Sequence, residues 1–201
     1  MFCGGNGEVL GGGMGLRQSA AVRIVTPSSR LAMPEISIGL YPDVGASWFL
    51  SRLPGKLGLF LGLTGAHMNG RDALDLGLAD RFMLDEQQDE LLEGLLQLNW
   101  QEQTPMQLNS LLKALAQEAV DQQPEAQWLP RRAQIDEWPD VGDVRCAWRH
   151  WSPLREHPDP PVNLPVQKPY EGRPFTSHRV RAQQQPARTQ PLAHGCPIAA
   201  I

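Results

Sequence analysis

The chain has 201 residues, enough for one domain with a sizeable core, and its formal charge of −4 disfavours a nucleic-acid binder. Its three cysteines, Cys3, Cys146 and Cys196, are too few and too scattered for a disulfide framework or a zinc site; they suit a reducing compartment, expected to be the cytoplasm. There is no secretory leader pattern and no apolar run approaching the roughly eighteen residues of a membrane helix, so no membrane role is expected.

In chain order, the glycine cluster Gly11-Gly12-Gly13-Met14-Gly15 leads into a short helix predicted over 14–21. Val22-Arg23-Ile24-Val25-Thr26 is β-branched and alternating, hence a strand; Pro27-Ser28-Ser29 is a turn, and Leu31-Ala32-Met33 is a second strand stopped by Pro34. Helices are predicted over 44–53, with Trp48, Phe49 and Leu53 on compatible spacings, and over 56–63. Asn69 or Gly70 opens another through Leu76, with Gly77 at its stop. A strand over 81–84 follows, then a helix capped by Asp85 with Leu91, Leu92, Leu95 and Leu96 on one face, and another over 107–120. Strand–helix alternation with glycine-rich junctions indicates an α/β protein. One more helix is placed within 136–149, interrupted by Pro139 and Gly142, and 153–201 reads as an irregular or disordered tail.

Composition divides the chain. Seven of its nineteen glycines lie in 1–15, and thirteen of its eighteen prolines lie in 124–201. Residues 149–201 carry seven Lys/Arg against three Asp/Glu, a charge of +4, which leaves −8 for 1–148. The expected organisation is a partial domain over 1–122 and a divergent, proline-rich region over 123–201, partly helical or disordered.

The chemistry concentrates in 31–45, where Glu35 and Asp43 stand in apolar sequence with Pro34 and Pro42 just before them. Carboxylates in such surroundings are costly unless paired, hydrogen-bonded or functional. Simpler roles are available: Glu35 capping its turn or pairing with Arg23 or Arg30, Asp43 as the N-cap of the next helix, Met33 and Trp48 as core. The glycine cluster has no G-x-x-x-x-G-K-[ST] pattern, and the strand a dinucleotide loop needs before it is expected to be missing. No histidine has a nucleophile and an acid in recognisable spacing, which disfavours a Ser-His-Asp hydrolase. Bare N–H groups at a glycine turn, together with two carboxylates, are the minimum kit for acyl chemistry on a thioester.

Gly11-Gly12-Gly13-Met14-Gly15-Leu16, Met33-Pro34-Glu35, Gly39-Leu40-Tyr41-Pro42-Asp43-Val44-Gly45 and Gly55-Lys56-Leu57-Gly58 together resemble the enoyl-CoA hydratase/isomerase (crotonase) superfamily, and within it the 3-hydroxyisobutyryl-CoA hydrolases. Leu63-Thr64-Gly65, Asp72-Ala73 and Gly77-Leu78-Ala79 follow the same pattern, which is close over 9–120 and fragmentary after 149. The resemblance implies a crotonase-like ββα-spiral core and hydrolysis of a short 3-hydroxyacyl-CoA thioester, a step of valine breakdown. Glu35 and Asp43 would be the catalytic carboxylates, and Gly11, Gly12 and Gly13 the oxyanion and substrate-binding turn. Coenzyme A enters as part of the substrate, no metal or other cofactor is implied, and a homo-oligomer is possible.

Hydratases of the superfamily carry a glutamate where this chain has Gly15, and a glycine where it has Asp43, so hydrolysis is favoured over hydration. An isomerase working through Glu35, and a non-catalytic remnant, are the alternatives. The family's second oxyanion donor comes from an upstream loop, expected here to be absent with its strands. That makes the core incomplete at the N-terminus, with an irregular C-terminal region.

Overall fold

The computed structural model describes residues 1–100 and 104–137. Two short strands open the chain, β1 (Phe2–Gly5) and β2 (Glu8–Leu10), followed by α1 (Gly12–Gln18). The next strands, β3 (Val22–Val25) and β4 (Arg30–Ala32), repeat the pattern and lead into a 3₁₀ turn over Pro34–Ile38. The pairing follows the repeat. β1 runs parallel to β3, with Phe2 opposite Val22 and Gly5 opposite Val25, and β2 runs parallel to β4, with Val9 opposite Leu31.

Each strand pair turns a corner from one sheet into the other. Gly7, at φ 69°, makes the first corner and the turn at 27–29 the second. The corners are stitched together: the Arg30 N–H donates to the Gly7 carbonyl at 2.8 Å, the Gly7 N–H to Ser28 Oγ at 3.1 Å, and the Ser29 hydroxyl to the Gly5 carbonyl. The strand expected to be missing before the glycines is therefore present. Phe2, Cys3 and Val9 gave it too little apolar alternation among three glycines, and parallel partners supply the hydrogen bonds that fix it.

Past the 3₁₀ turn come α2 (Ala46–Leu50), α3 (Leu57–Thr64), β5 (Met68–Asn69), α4 (Gly70–Asp75) and β6 (Arg81–Phe82). β6 joins β3 in parallel and β5 joins β4 antiparallel, giving sheet orders β1-β3-β6 and β2-β4-β5. A 3₁₀ turn at Asp85–Gln87, α5 (Gln88–Gln97), α6 (Thr104–Glu118) and α7 (Arg132–Asp136) complete the described elements. The expected helix over 44–53 is shortened to α2, because Val44 and Gly45 take positive φ values of 43° and 84°. Asp85 does not cap α5; its carboxylate accepts from the Ser28 N–H and hydroxyl instead. Beyond residue 137 the expected helix and tail lie outside the described residues.

Most of the core is one cluster. Met14 of α1, Val25, Leu31, Met33 and the α3 residues Leu57, Phe60 and Leu61 pack with Trp128 and Ile135 from beyond α6. The Trp128 and Phe60 rings lie 5.0 Å apart, and the Trp128 indole N–H donates to the His67 carbonyl. Ile24, Met83, Leu112 and Leu115 form a smaller cluster under α6.

α4 begins as its sequence predicts. Asn69 and Asp72 form a reciprocal capping box, and Asp72, fully buried, also accepts from the Gln127 and Trp128 N–H groups at 2.6 and 3.1 Å. α1 is anchored from behind by Arg17, also fully buried, which donates to the Leu78 carbonyl at 2.7 Å and the Ile24 carbonyl at 3.3 Å. Burial lowers its pKa to about 10. No sequence feature singled out Arg17 beyond its position one turn after Met14.

Candidate active site

Glu35 is the second residue of the 3₁₀ turn at 34–38, and the path of the chain buries it. Pro34 fixes the start of the turn, and Gly39, at φ 77°, reverses the chain so that the Leu40 N–H donates to the Glu35 carbonyl at 2.9 Å. Gly65, at the end of α3, backs the turn, where a Cβ would stand 3.1 Å from Pro34 Cα.

The Glu35 side chain points away from that support, toward the glycine cluster. A Cβ on Gly11 would lie 2.6 Å from Glu35 Oε1, so at this point, with φ 50°, only glycine fits. Glu35 is 9% exposed, and its Oε2 is buried without a hydrogen-bond partner among the described residues. Burial pushes the carboxyl above its ordinary value; a hydrogen bond to its own backbone opposes this, and the charge of Asp43 adds to the rise.

The three predicted glycines divide their work. Gly11 spends its N–H on the Ala32 carbonyl at 3.0 Å and forms the wall beside Glu35. Gly12 and Gly13 open α1, are exposed, and have N–H groups with no acceptor among the described residues. Asp43 is exposed, within electrostatic reach of Glu35, and is not the side-chain cap expected for the next helix: α2 is capped by Gly45 with no side-chain bond. Neither arginine proposed as a partner of Glu35 reaches it. Arg23 pairs with Asp80 at 2.7 Å, and Arg30 donates to the Pro27 and Ser29 carbonyls. Met33 is core, as expected, while Trp48 is half-buried against the core with the Arg52 guanidinium 4.0 Å over its ring.

Position 15 also has a structural reason. A Cβ there would stand 2.5 Å from Val44 Cβ, so the bend at 41–45 leaves no room for a side chain. Sequence reasoning missed Val44, because nothing in a valine announces a left-handed backbone. Among the described residues, no three His, Cys, Asp or Glu side chains gather as a metal site requires, and no helix is long and apolar enough to cross a membrane.

Paired ββα units that lodge a buried carboxylate against a glycine turn at a helix start are the architecture of a crotonase-fold protein. A profile of the family described as enoyl-CoA hydratase/isomerase matches residues 1–158, and the chain belongs to that family. The chain is 54% identical over 78 residues to probable 3-hydroxyisobutyryl-CoA hydrolase 2 of Arabidopsis thaliana, covering 39% of this chain and 21% of that protein. It is 47% identical over 93 residues to the mitochondrial 3-hydroxyisobutyryl-CoA hydrolase of Danio rerio, covering 46% and 24%.

Among solved structures, a carnitinyl-CoA dehydratase from Mycobacterium thermoresistibile matches with TM-score 0.61 and 31% identity over 90% of this chain and 45% of that one. An enoyl-CoA hydratase from Rhodobacter sphaeroides matches with TM-score 0.54 and 28% identity, over 90% and 42%. The chain thus spans about a quarter of the length of the curated relatives it matches and less than half of these structures.

Proposed function

We propose that this site hydrolyses a short 3-hydroxyacyl-CoA thioester of the 3-hydroxyisobutyryl-CoA kind, releasing the hydroxy acid and coenzyme A. The observation that carries the reading is Glu35 Oε1 set against Gly11, which puts a largely buried carboxylate at the residue that leads into the unbonded N–H groups of Gly12 and Gly13. A thioester carbonyl bound there has its oxygen on those N–H groups, which stabilise the charge that develops as the carbon becomes tetrahedral. Glu35 then either attacks the carbonyl carbon or takes a proton from the water that does. Its raised pKa makes it the stronger base in either role. Asp43, exposed at the edge of the site, binds the substrate hydroxyl or assists the proton transfer.

Hydration across an enoyl bond is disfavoured on the same ground, since the bend at Val44 excludes a second carboxylate from position 15. The scheme uses no cofactor beyond the coenzyme A of the substrate. Its compartment is a reducing one; the relative from Danio rerio is named mitochondrial, and free Cys3 suits that setting as well as the cytoplasm.

Thiol release from 3-hydroxyisobutyryl-CoA tests the reading, with Glu35→Gln as control and crotonyl-CoA as blank. Release by the parent that Glu35→Gln lowers at least about a hundredfold supports it. Equal release by the two removes Glu35 from the chemistry, and loss of the crotonyl-CoA double bond without thiol release would point to hydration instead.

A further inference from the structure

Val44 has a backbone unlike that of any other side-chain-bearing residue described. Its φ of 43° makes it the sole non-glycine at positive φ among the described residues, and it is β-branched, the class that tolerates that region least. Core packing does not account for this, since Val44 is 47% exposed. Backbone strain persists where surroundings impose it, and it gathers at sites of function. What surrounds Val44 is Gly15 beneath it and Gly45, at φ 84°, after it.

Val44 lies close against Gly15, through both its side chain and its carbonyl. A Cβ there would stand 2.5 Å from Val44 Cβ, 2.7 Å from Cγ2 and 2.6 Å from the Val44 carbonyl oxygen. The Gly15 N–H donates to the Gly11 carbonyl at 3.3 Å, so Val44 lies one helical turn, roughly 5.4 Å, along α1 from the point where Glu35 meets Gly11. A thioester whose carbonyl sits between Glu35 and the start of α1 carries its second and third acyl carbons within that span. Asp43 directly precedes Val44 and both are exposed, so a single bend carries a carboxylate and an isopropyl group on adjacent residues. That pair matches an acyl group with a hydroxyl on its third carbon and a methyl on its second.

We propose that Val44 is a specificity-determining residue of this site: its isopropyl group, held over Gly15, is the apolar wall that selects 2-methyl-3-hydroxyacyl thioesters over unbranched ones. The inference rests on the acyl-CoA reading given under Proposed function. An apolar wall that reads one methyl group discriminates by about 10- to 200-fold.

The experiment is calorimetric titration of the full chain carrying Glu35→Gln with 3-hydroxyisobutyryl-CoA and with unbranched 3-hydroxypropionyl-CoA. It is repeated with Val44→Gly and Val44→Ala added. The branched ligand is expected to bind about tenfold more tightly, and both Val44 variants are expected to lose that preference by weakening the branched ligand alone. Val44→Gly suits a positive φ and is expected to melt no lower than the parent, which separates lost recognition from lost folding. Equal affinity for the two ligands before Val44 is changed, or a preference that survives both Val44 variants, overturns the inference and leaves the acyl-CoA reading standing. Failure to bind either ligand overturns both. Val44-dependent binding in a chain whose parent releases no thiol overturns the hydrolytic reading alone.

Discussion

Glu35 holds its carboxylate largely buried, and the charge of Asp43 repels it, so its protonation is tied to folding. An acid whose pKa is raised in the folded state binds its proton more tightly there than in the unfolded chain. The associated stability is complete below the ordinary value of 4.5 and is lost as pH rises through the higher, folded value. Glu35→Gln removes that loss, so at pH near neutral the variant is expected to melt at or above the parent. The gap should close as the medium is acidified below 4.5, and a pH series of thermal melts reads both.

Under the proposed mechanism the working form of Glu35 is the ionised one, so the acid limb of thiol release is expected above the ordinary carboxylate range. Asp43→Asn removes one cause of the rise, and the limb should then move to lower pH. Gly11→Ala acts on the opposite wall. It forces alanine to φ 50° and ψ −115° and sets a methyl 2.6 Å from Glu35 Oε1, at an expected cost of about 1–3 kcal/mol in urea unfolding and with loss of thiol release.

Among the elements, α4 shows how local and distant bonds combine. Its start is local: Asn69 and Asp72 cap each other within one turn. The same Asp72 carboxylate reaches the Gln127 and Trp128 N–H groups and so ties the segment after α6 to the larger core. Asp72→Ala leaves these buried donors unpaired and removes the reciprocal half of the capping box, an expected loss of about 3 kcal/mol. A red shift in tryptophan fluorescence should accompany it as Trp128 leaves Phe60. The start of α4 was legible from Asn69 and Gly70 alone, but its dependence on residues 127–128 was not. α2 shows the reverse case: the spacing of Trp48, Phe49 and Leu53 extended it back to residue 44, and the contact of Val44 with Gly15 cut it short.

Across the whole molecule, burial is uneven. α3 is buried along nearly its full length, from Leu57 to Thr64, whereas α5 has no fully buried residue, with Leu92 and Leu96 57% and 76% exposed. A pocket of about 370 Å³ lies between α5 and the first sheet, lined by Phe2, Ile24, Met83, Leu91 and Leu95 among others. Few apolar contacts hold α5 down, so its amides are expected to exchange with deuterium well before those of α3, as mass spectrometry of peptic fragments can read.

Legible in the residues alone were the parts whose causes lie within a turn or two of chain. They are a glycine cluster entering a helix, an acid placed by Pro34, the opening of α4 at Asn69, and the apolar faces of α5 and α6. Those features come from φ freedom, capping and periodicity, which neighbouring residues settle among themselves. Long-range contacts settled the rest: that β1 and β2 exist, that Glu35 closes on Gly11 rather than on Arg23 or Arg30, and that Val44 fills the space over Gly15. The strand pairs, the desolvated carboxylate and the strained valine all depend on residues far apart in sequence. Parallel hydrogen bonding and close packing fix such contacts only once the whole core has assembled.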